Sequence, residues 1–131
     1  MTRIPEKFEY IPLRTALKNL LKEQGLTLND VLDAMDETPE RLRRSIIARI
    51  NLSSKDLAKL EVNYTSRQLN LLIFAVHVFY LSGSGGVYKG KVVVPLREEV
   101  IGRDGRVTKE GLIKIIKSLG LKPRWAISGT L

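Results

Sequence analysis

The stretch SRQLNLLIFAVHVFYL, Ser66 to Leu81, decides between two folds. Read as a helix, it is apolar on nearly every side and makes the chain mainly α. Read as a strand, its second half, Phe74 to Leu81, would turn through Ser82-Gly83-Ser84-Gly85-Gly86 and pair with Val87 to Pro95 as a hairpin. Arg67 to Phe74 has no strand alternation, so the helix is the expected state. Val92-Val93-Val94 is expected to be β in either case. The expected fold class is therefore mainly α: a small helical domain with a short β-hairpin in the C-terminal half.

Working outward from this stretch, short helices follow one another with local start and stop signals. Leu13, Leu17, Leu20 and Leu21 recur at helical spacing, and Gly25 is placed to stop a helix over 13–24. Thr27 with Asp30 forms a capping-box pair before Leu28, Val31, Leu32 and Met35. Thr38 then Pro39 starts a helix carrying Leu42, Ile46 and Ile50. Ser53 with Asp56 caps another, with Leu52 as a staple and Leu57 and Leu60 facing inward. Asp104-Gly105 marks a turn. Thr108 caps a last helix with Leu112, Ile113, Ile115, Ile116 and Leu119 inside and Gly120 as its stop. Residues 1–12 read as an extended arm, 13–81 as the helical region, and 87–131 as a smaller hairpin-plus-helix region with a tail, packed with the rest as one domain. A helix over 66–81 that is apolar all round predicts self-association, as a dimer or higher oligomer, through Leu72, Phe74, Val76 and Phe79.

With 131 residues, 44% of them hydrophobic, the chain has material for one core. It has no cysteine, which excludes a disulfide scaffold, a thiolate metal site and a thiol nucleophile. The one histidine, His77, lies between Val76 and Val78 and is expected to be a satisfied core or interface residue. Gly83, Gly85 and Gly86 lack the Gly-Lys-Ser/Thr of a phosphate loop. Asp104 to Glu110 resembles the middle of a calcium loop, but Val100, Gly102 and Gly111 stand where ligands are needed, leaving a turn before a capped helix. No nucleophile, base and orienter stand together. Neither an enzyme nor a cofactor or metal is expected. Leu69 to Leu81 is too short to span a bilayer, and Met1 to Pro12 is not patterned as a signal peptide. A soluble, cytoplasmic protein is the expectation. Few glutamines and many Ile, Val, Leu, Arg and Lys would suit a thermophile.

The charge is uneven. Lys and Arg number 22 against 14 Asp and Glu, giving +8. Residues 1–40 carry net −3, residues 41–95 net +7 and residues 96–131 net +4. A basic body with an acidic head points to a polyanion, with double-stranded DNA as the expected partner.

Leu26 to Leu42 reads LTLNDVLDAMDETPERL. This segment, with its flank to Ile46, resembles the helix-turn-helix of repressor-like DNA-binding proteins. Leu26-Thr27, Asp30-Val31, Met35, Thr38-Pro39 and Leu42 fall in register with a Leu-Thr start, a short amphipathic helix, a tight turn and a second helix. The resemblance implies that Val31, Met35 and Leu42 bury against the preceding helix. It also implies that Thr38 and Glu40 sit near base edges, with Arg41, Arg43 and Arg44 along the second helix. Arg43 is the least free of these, because it lies beside Ile47 and Ile50. The same register brings four carboxylates, Asp33, Asp36, Glu37 and Glu40, towards the DNA face.

A second unit, Ser53 to Leu60 followed by Thr65 to Leu69, resembles a helix-turn-helix with a shorter turn. With a hairpin over 74–95 it would become a winged helix. Lys89 and Lys91 would then be wing residues touching phosphates. In the leading reading Arg41, Arg44, Lys55, Lys59 and Arg67 supply the phosphate contacts, with Thr38 and Glu40 near the bases. The function expected is a non-enzymatic DNA-binding protein, a dimeric regulator. One alternative is a structural nucleoprotein, found in a virion: in composition and helical content the chain resembles the small, basic, cysteine-free coat proteins of viruses of hyperthermophilic archaea. Another is a protein-interaction module. Trp125, beside Lys122, Pro123 and Arg124, is expected to fold back onto the core, with base stacking in single strands as the alternative.

Overall fold

Local caps build the helices. In the computed structural model, which describes residues 9–37, 39–81 and 87–123, Thr27 Oγ1 accepts from the Asp30 N–H at 3.2 Å and Asp30 Oδ2 accepts from the Thr27 N–H at 2.8 Å. This reciprocal pair opens α2 (Leu28–Asp36), after α1 (Leu13–Glu23) has ended before Gly25 at φ +72°. α3 spans Glu40–Ile47 with Pro39 in the N-cap position, one residue later than the Thr38-Pro39 signal predicts. Thr38 and the side chain of Leu42 lie outside the described residues, as does Trp125. Ser53 Oγ accepts from the Asp56 N–H at 3.1 Å and starts α4 (Ser54–Asn63). A box the sequence reading did not name, Thr65 with Gln68, starts α5 (Ser66–Val76).

The deciding stretch is helical. α5 continues into a five-residue π-helical turn, His77–Leu81. The wider turn re-phases the chain so that Phe79 and Tyr80 point inward and His77 is exposed. His77 is therefore not a core residue, and that half of the expectation is corrected.

The hairpin lies entirely beyond that helix. β2 (Val87–Tyr88) pairs antiparallel with β3 (Lys91–Val94). Lys89 and Gly90 join them at φ +51° and +76°, the doubly left-handed turn that suits strand twist. The arm does not stay apart: β1 (Tyr10–Pro12) pairs parallel with β3, Tyr10 opposite Val92 and Pro12 opposite Val94. The sheet order is β1-β3-β2. A four-residue helix, α6 (Arg97–Val100), and a turn with Gly105 at φ +77° lead to α7 (Lys109–Leu119). Thr108 Oγ1 accepts from the Gly111 N–H at 2.9 Å, and Gly120 at φ +71° ends α7. Ile113, expected inside, is 47% exposed.

α5 is the axis of the molecule. α2, α3, α4 and α7 all pack on it, and α7 also meets α1 and α6. Asn70, Leu71, Leu72, Ile73, Ala75 and Val76 are buried because partners arrive from several sides at once. The predicted oligomer interface is corrected here: Leu72, Val76 and Phe79 are 2%, 0% and 1% exposed within the single chain, and only Phe74 stays half-buried. A helix apolar all round found its cover inside the monomer. Ser118 joins the two ends of the fold: its Oγ donates to Val94 O and accepts from the Leu13 N–H, the latter at 2.7 Å. The helical and hairpin regions share one core.

Candidate nucleic-acid interface

The first helix-turn-helix candidate exists as two helices joined by residues 37–39. Val31 and Met35 are buried as expected, but α2 and α3 pack on α5 rather than principally on the preceding α1. The sequence places the supporting helix before the motif; the fold supplies it from behind.

α3 turns Ile46 inward and leaves Glu40, Arg41, Arg44, Ser45 and Ala48 exposed, with Arg43 and Ile47 half-buried. Arg49 follows, also exposed. Arg44 Nε lies 3.7 Å from Glu40 Oε1, both side chains being open to solvent, so the pair is weak and the guanidinium keeps most of its donors. Thus four arginines, Arg41, Arg43, Arg44 and Arg49, stand against one carboxylate, Glu40, on and just after α3.

The end of α3 is held from the far side of the chain. Val107 N–H donates to Arg49 O at 2.9 Å, Asn51 N–H donates to Val107 O at 2.7 Å, and Arg106 Nη2 donates to Ile50 O at 3.1 Å. These bonds fix where Arg49 leaves the helix. Lys109 Nζ lies 3.1 Å from Asp56 Oδ1 and anchors the start of α4. The Lys109 and Ser53 hydrogen bonds hold the Asp56 carboxyl below the usual carboxylate range. Lys55 and Lys59 are exposed on α4. A groove of about 550 Å³ runs between α3, α4 and α5. Arg43, Arg44, Glu40 and Glu61 stand at its walls, and Ile47 and Ile73 lie among its apolar lining. Tyr64 also lines it, its phenol pushed up by burial.

Two of the four carboxylates that the sequence brings to the DNA face are redirected. Arg67 Nη1 reaches Asp33 Oδ1 at 3.1 Å and Asp36 Oδ2 at 2.9 Å, and Asn70 Nδ2 donates to Asp36 Oδ1 at 3.0 Å. Glu37 remains exposed at the C-cap of α2.

The same contacts correct the second candidate. Its reading helix would be α5, which is the buried axis, and Arg67 is engaged by two aspartates. Phe74 to Leu81 is helical, so no wing is built from it. Lys89 pairs with Glu23, and Tyr88 donates to the same carboxylate; both bonds lower the Glu23 pKa and raise those of Lys89 and Tyr88. Lys91 lies 3.5 Å from Glu9. The α3 arginines therefore remain without a strong carboxylate partner among the described residues, Lys55 and Lys59 are exposed on α4, and Arg67, Lys89 and Lys91 belong to ion pairs elsewhere.

Sequence reading missed Arg14, Lys18 and Lys22 on α1. They sit at spacing four, beside the Leu13–Leu17–Leu21 stripe, and the net −3 of residues 1–40 concealed them. Spacing within the helix, rather than a block total, was the signal.

Comparison of the chain with protein-family models, with curated proteins and with solved structures finds no match. The helix-turn-helix resemblance therefore rests on the sequence of residues 26–46 alone. No helix among the described residues is long and apolar enough to cross a membrane.

Proposed function

We propose that this protein binds duplex DNA and performs no catalysis, with α3 entering the major groove. Arg41 and Arg44 reach base edges or the phosphates that line the groove, and Glu40 sits at the start of the helix. Arg49, Lys55 and Lys59 meet the flanking backbone. The observation that carries this reading is the imbalance on α3, four arginines against one carboxylate, once Asp33 and Asp36 have turned to Arg67 and Asn70. An α-helix is the right width for a major groove, and bidentate arginine contacts to guanine are the commonest way to read it. The +8 net charge supplies the long-range attraction.

A gel-shift series on random duplex and single-stranded DNA, with the mass of the complex measured, tests this. With about six phosphates neutralised, log affinity falls against log salt with a slope near −5. Binding that ignores salt, or no binding at low salt, would falsify the proposal. Saturation at a few sites identifies a regulator, whereas cooperative coverage of any duplex identifies a coat.

A further inference from the structure

We infer that a second phosphate-binding surface lies along α1, apart from α3, and holds a nucleic-acid backbone. It rests on the proposal that nucleic acid is the partner, but not on α3 being the reader.

Between α1 and the start of α2 runs a groove of about 550 Å³. Arg14, Lys18, Asn19 and Lys22 form one side, with Thr27 and Asn29 opposite, and no carboxylate lines it. Four residues of helix rise about 6 Å, so Arg14, Lys18 and Lys22 spread three charges over about 12 Å in a row. That is a rail for successive phosphates rather than a pocket for one ion. Leu26, 44% exposed at the same groove, offers apolar surface to a sugar.

Two neighbouring grooves flank the rail, but most of the cations they add are already paired. One, of about 360 Å³, shares Asn19 and Lys22 and adds Lys89 and Lys91 together with the Glu23 carboxylate. The other, of about 310 Å³, shares Arg14 and adds Arg67 and Lys122. The flanking Lys89, Lys91 and Arg67 each have a carboxylate partner, Glu23, Glu9 and Asp33 with Asp36 respectively. Arg14, Lys18 and Lys22 have none among the described residues. Arg14 Nη1 instead donates to Leu119 O at 2.9 Å, which fixes the guanidinium at the end of α7. Asp30 is the nearest acidic residue in sequence on α2, and its carboxylate is occupied by the Thr27 N–H. Among the described residues Lys18 and Lys22 therefore have no carboxylate partner, and this groove shares no lining residue with the one beside α3.

The test compares Lys18→Glu with Lys22→Glu as a double variant, its Lys18→Gln with Lys22→Gln counterpart, and Arg41→Ala with Arg44→Ala. All are full-length, with unchanged circular dichroism as the folding check. Anisotropy of a labelled DNA duplex across a salt series is the readout. The α1 variants should reduce the magnitude of the salt slope by about 2, the glutamine pair included, because two phosphate contacts are lost. Arg41→Ala with Arg44→Ala should leave residual, salt-dependent binding that the α1 glutamine changes then abolish. Unchanged slope and affinity in both α1 variants would overturn the inference and leave the α3 reading standing. Loss on α1 substitution with no effect of the α3 changes would sink the α3 reading and keep this one.

Discussion

Arg67 Nη1 lies 2.9 Å from Asp36 Oδ2, joining the first turn of α5 to the last residue of α2. This contact withdraws a cation from the proposed DNA contacts and removes a carboxylate that would repel phosphate beside α3. Arg67→Ala should leave the salt slope of DNA binding unchanged within error, or weaken affinity only by freeing Asp33 and Asp36. Because both partners are 44% exposed, the stability cost should stay within about 1 kcal/mol. A urea melt and a salt titration of the variant check both statements. A slope lowered by a full phosphate contact would show that Arg67 touches DNA directly.

Gly111 marks where α7 crosses α6. A Cβ built there would lie 2.4 Å from Val100 Cα and 2.7 Å from Val100 O, with backbone atoms that cannot swing aside. Alanine is a better helix former by about 1 kcal/mol. The steric term should win, since overpacking of a closed contact costs about 1–3 kcal/mol or more. Gly111→Ala is expected to lower the thermal midpoint.

Tyr80 is buried, and its hydroxyl donates to Pro95 O at 2.6 Å. Burial, reinforced by the negative charge of Glu99, pushes its phenol well above the usual tyrosine range. A raised folded pKa contributes stability that is complete below the unfolded value of about 10 and disappears as pH climbs through the folded one. Tyr80 should therefore be the last tyrosine to ionise in an ultraviolet titration, its ionisation coinciding with alkaline unfolding. Tyr80→Phe should cost about 1–3 kcal/mol by orphaning the Pro95 carbonyl. Ionisation of every tyrosine near pH 10 with the fold intact would contradict this.

Asp56 gives the opposite sign. The hydrogen bond from Lys109 and then that from Ser53 lower its pKa, so its contribution is present above the usual carboxylate value and is lost as pH falls through the lowered one. Lys109→Met should be less stable than the parent at neutral pH. The gap should close as pH falls below about 4.

Hydrogen exchange should separate α4 from α5. No residue of α4 is fully buried, whereas six of α5 are. Elements with few buried apolar contacts open at lower free energy, so α4 amides should exchange well before those of Leu71 to Val76. Equal protection would mean that α4 is held by more than Leu57, Leu60 and the Lys109 bridge.

The parts of the fold whose causes are local can be read along the chain. Thr27 with Asp30, Ser53 with Asp56, and Thr108 before Gly111 act within three residues. Gly25, Gly105 and Gly120 stop or turn the chain through their own positive φ. Those elements were legible, as were the helical state of Ser66 to Val76 and the β state of Val92 to Val94. Where the apolar circumference of α5 hides depends on elements distant in the chain. Its cover comes from α2, α3, α4 and α7, and no window of sequence shows a helix its neighbours. That is why Leu72, Val76 and Phe79 read as an oligomer interface and are core. Long-range ion pairs had the same logic. Arg67 with Asp33 and Asp36, and Lys89 with Glu23, are set by where helices cross rather than by spacing along the chain. Each such pair uses one charge of either sign and leaves the net +8 unchanged; what the crossings decide is which cations keep a carboxylate beside them.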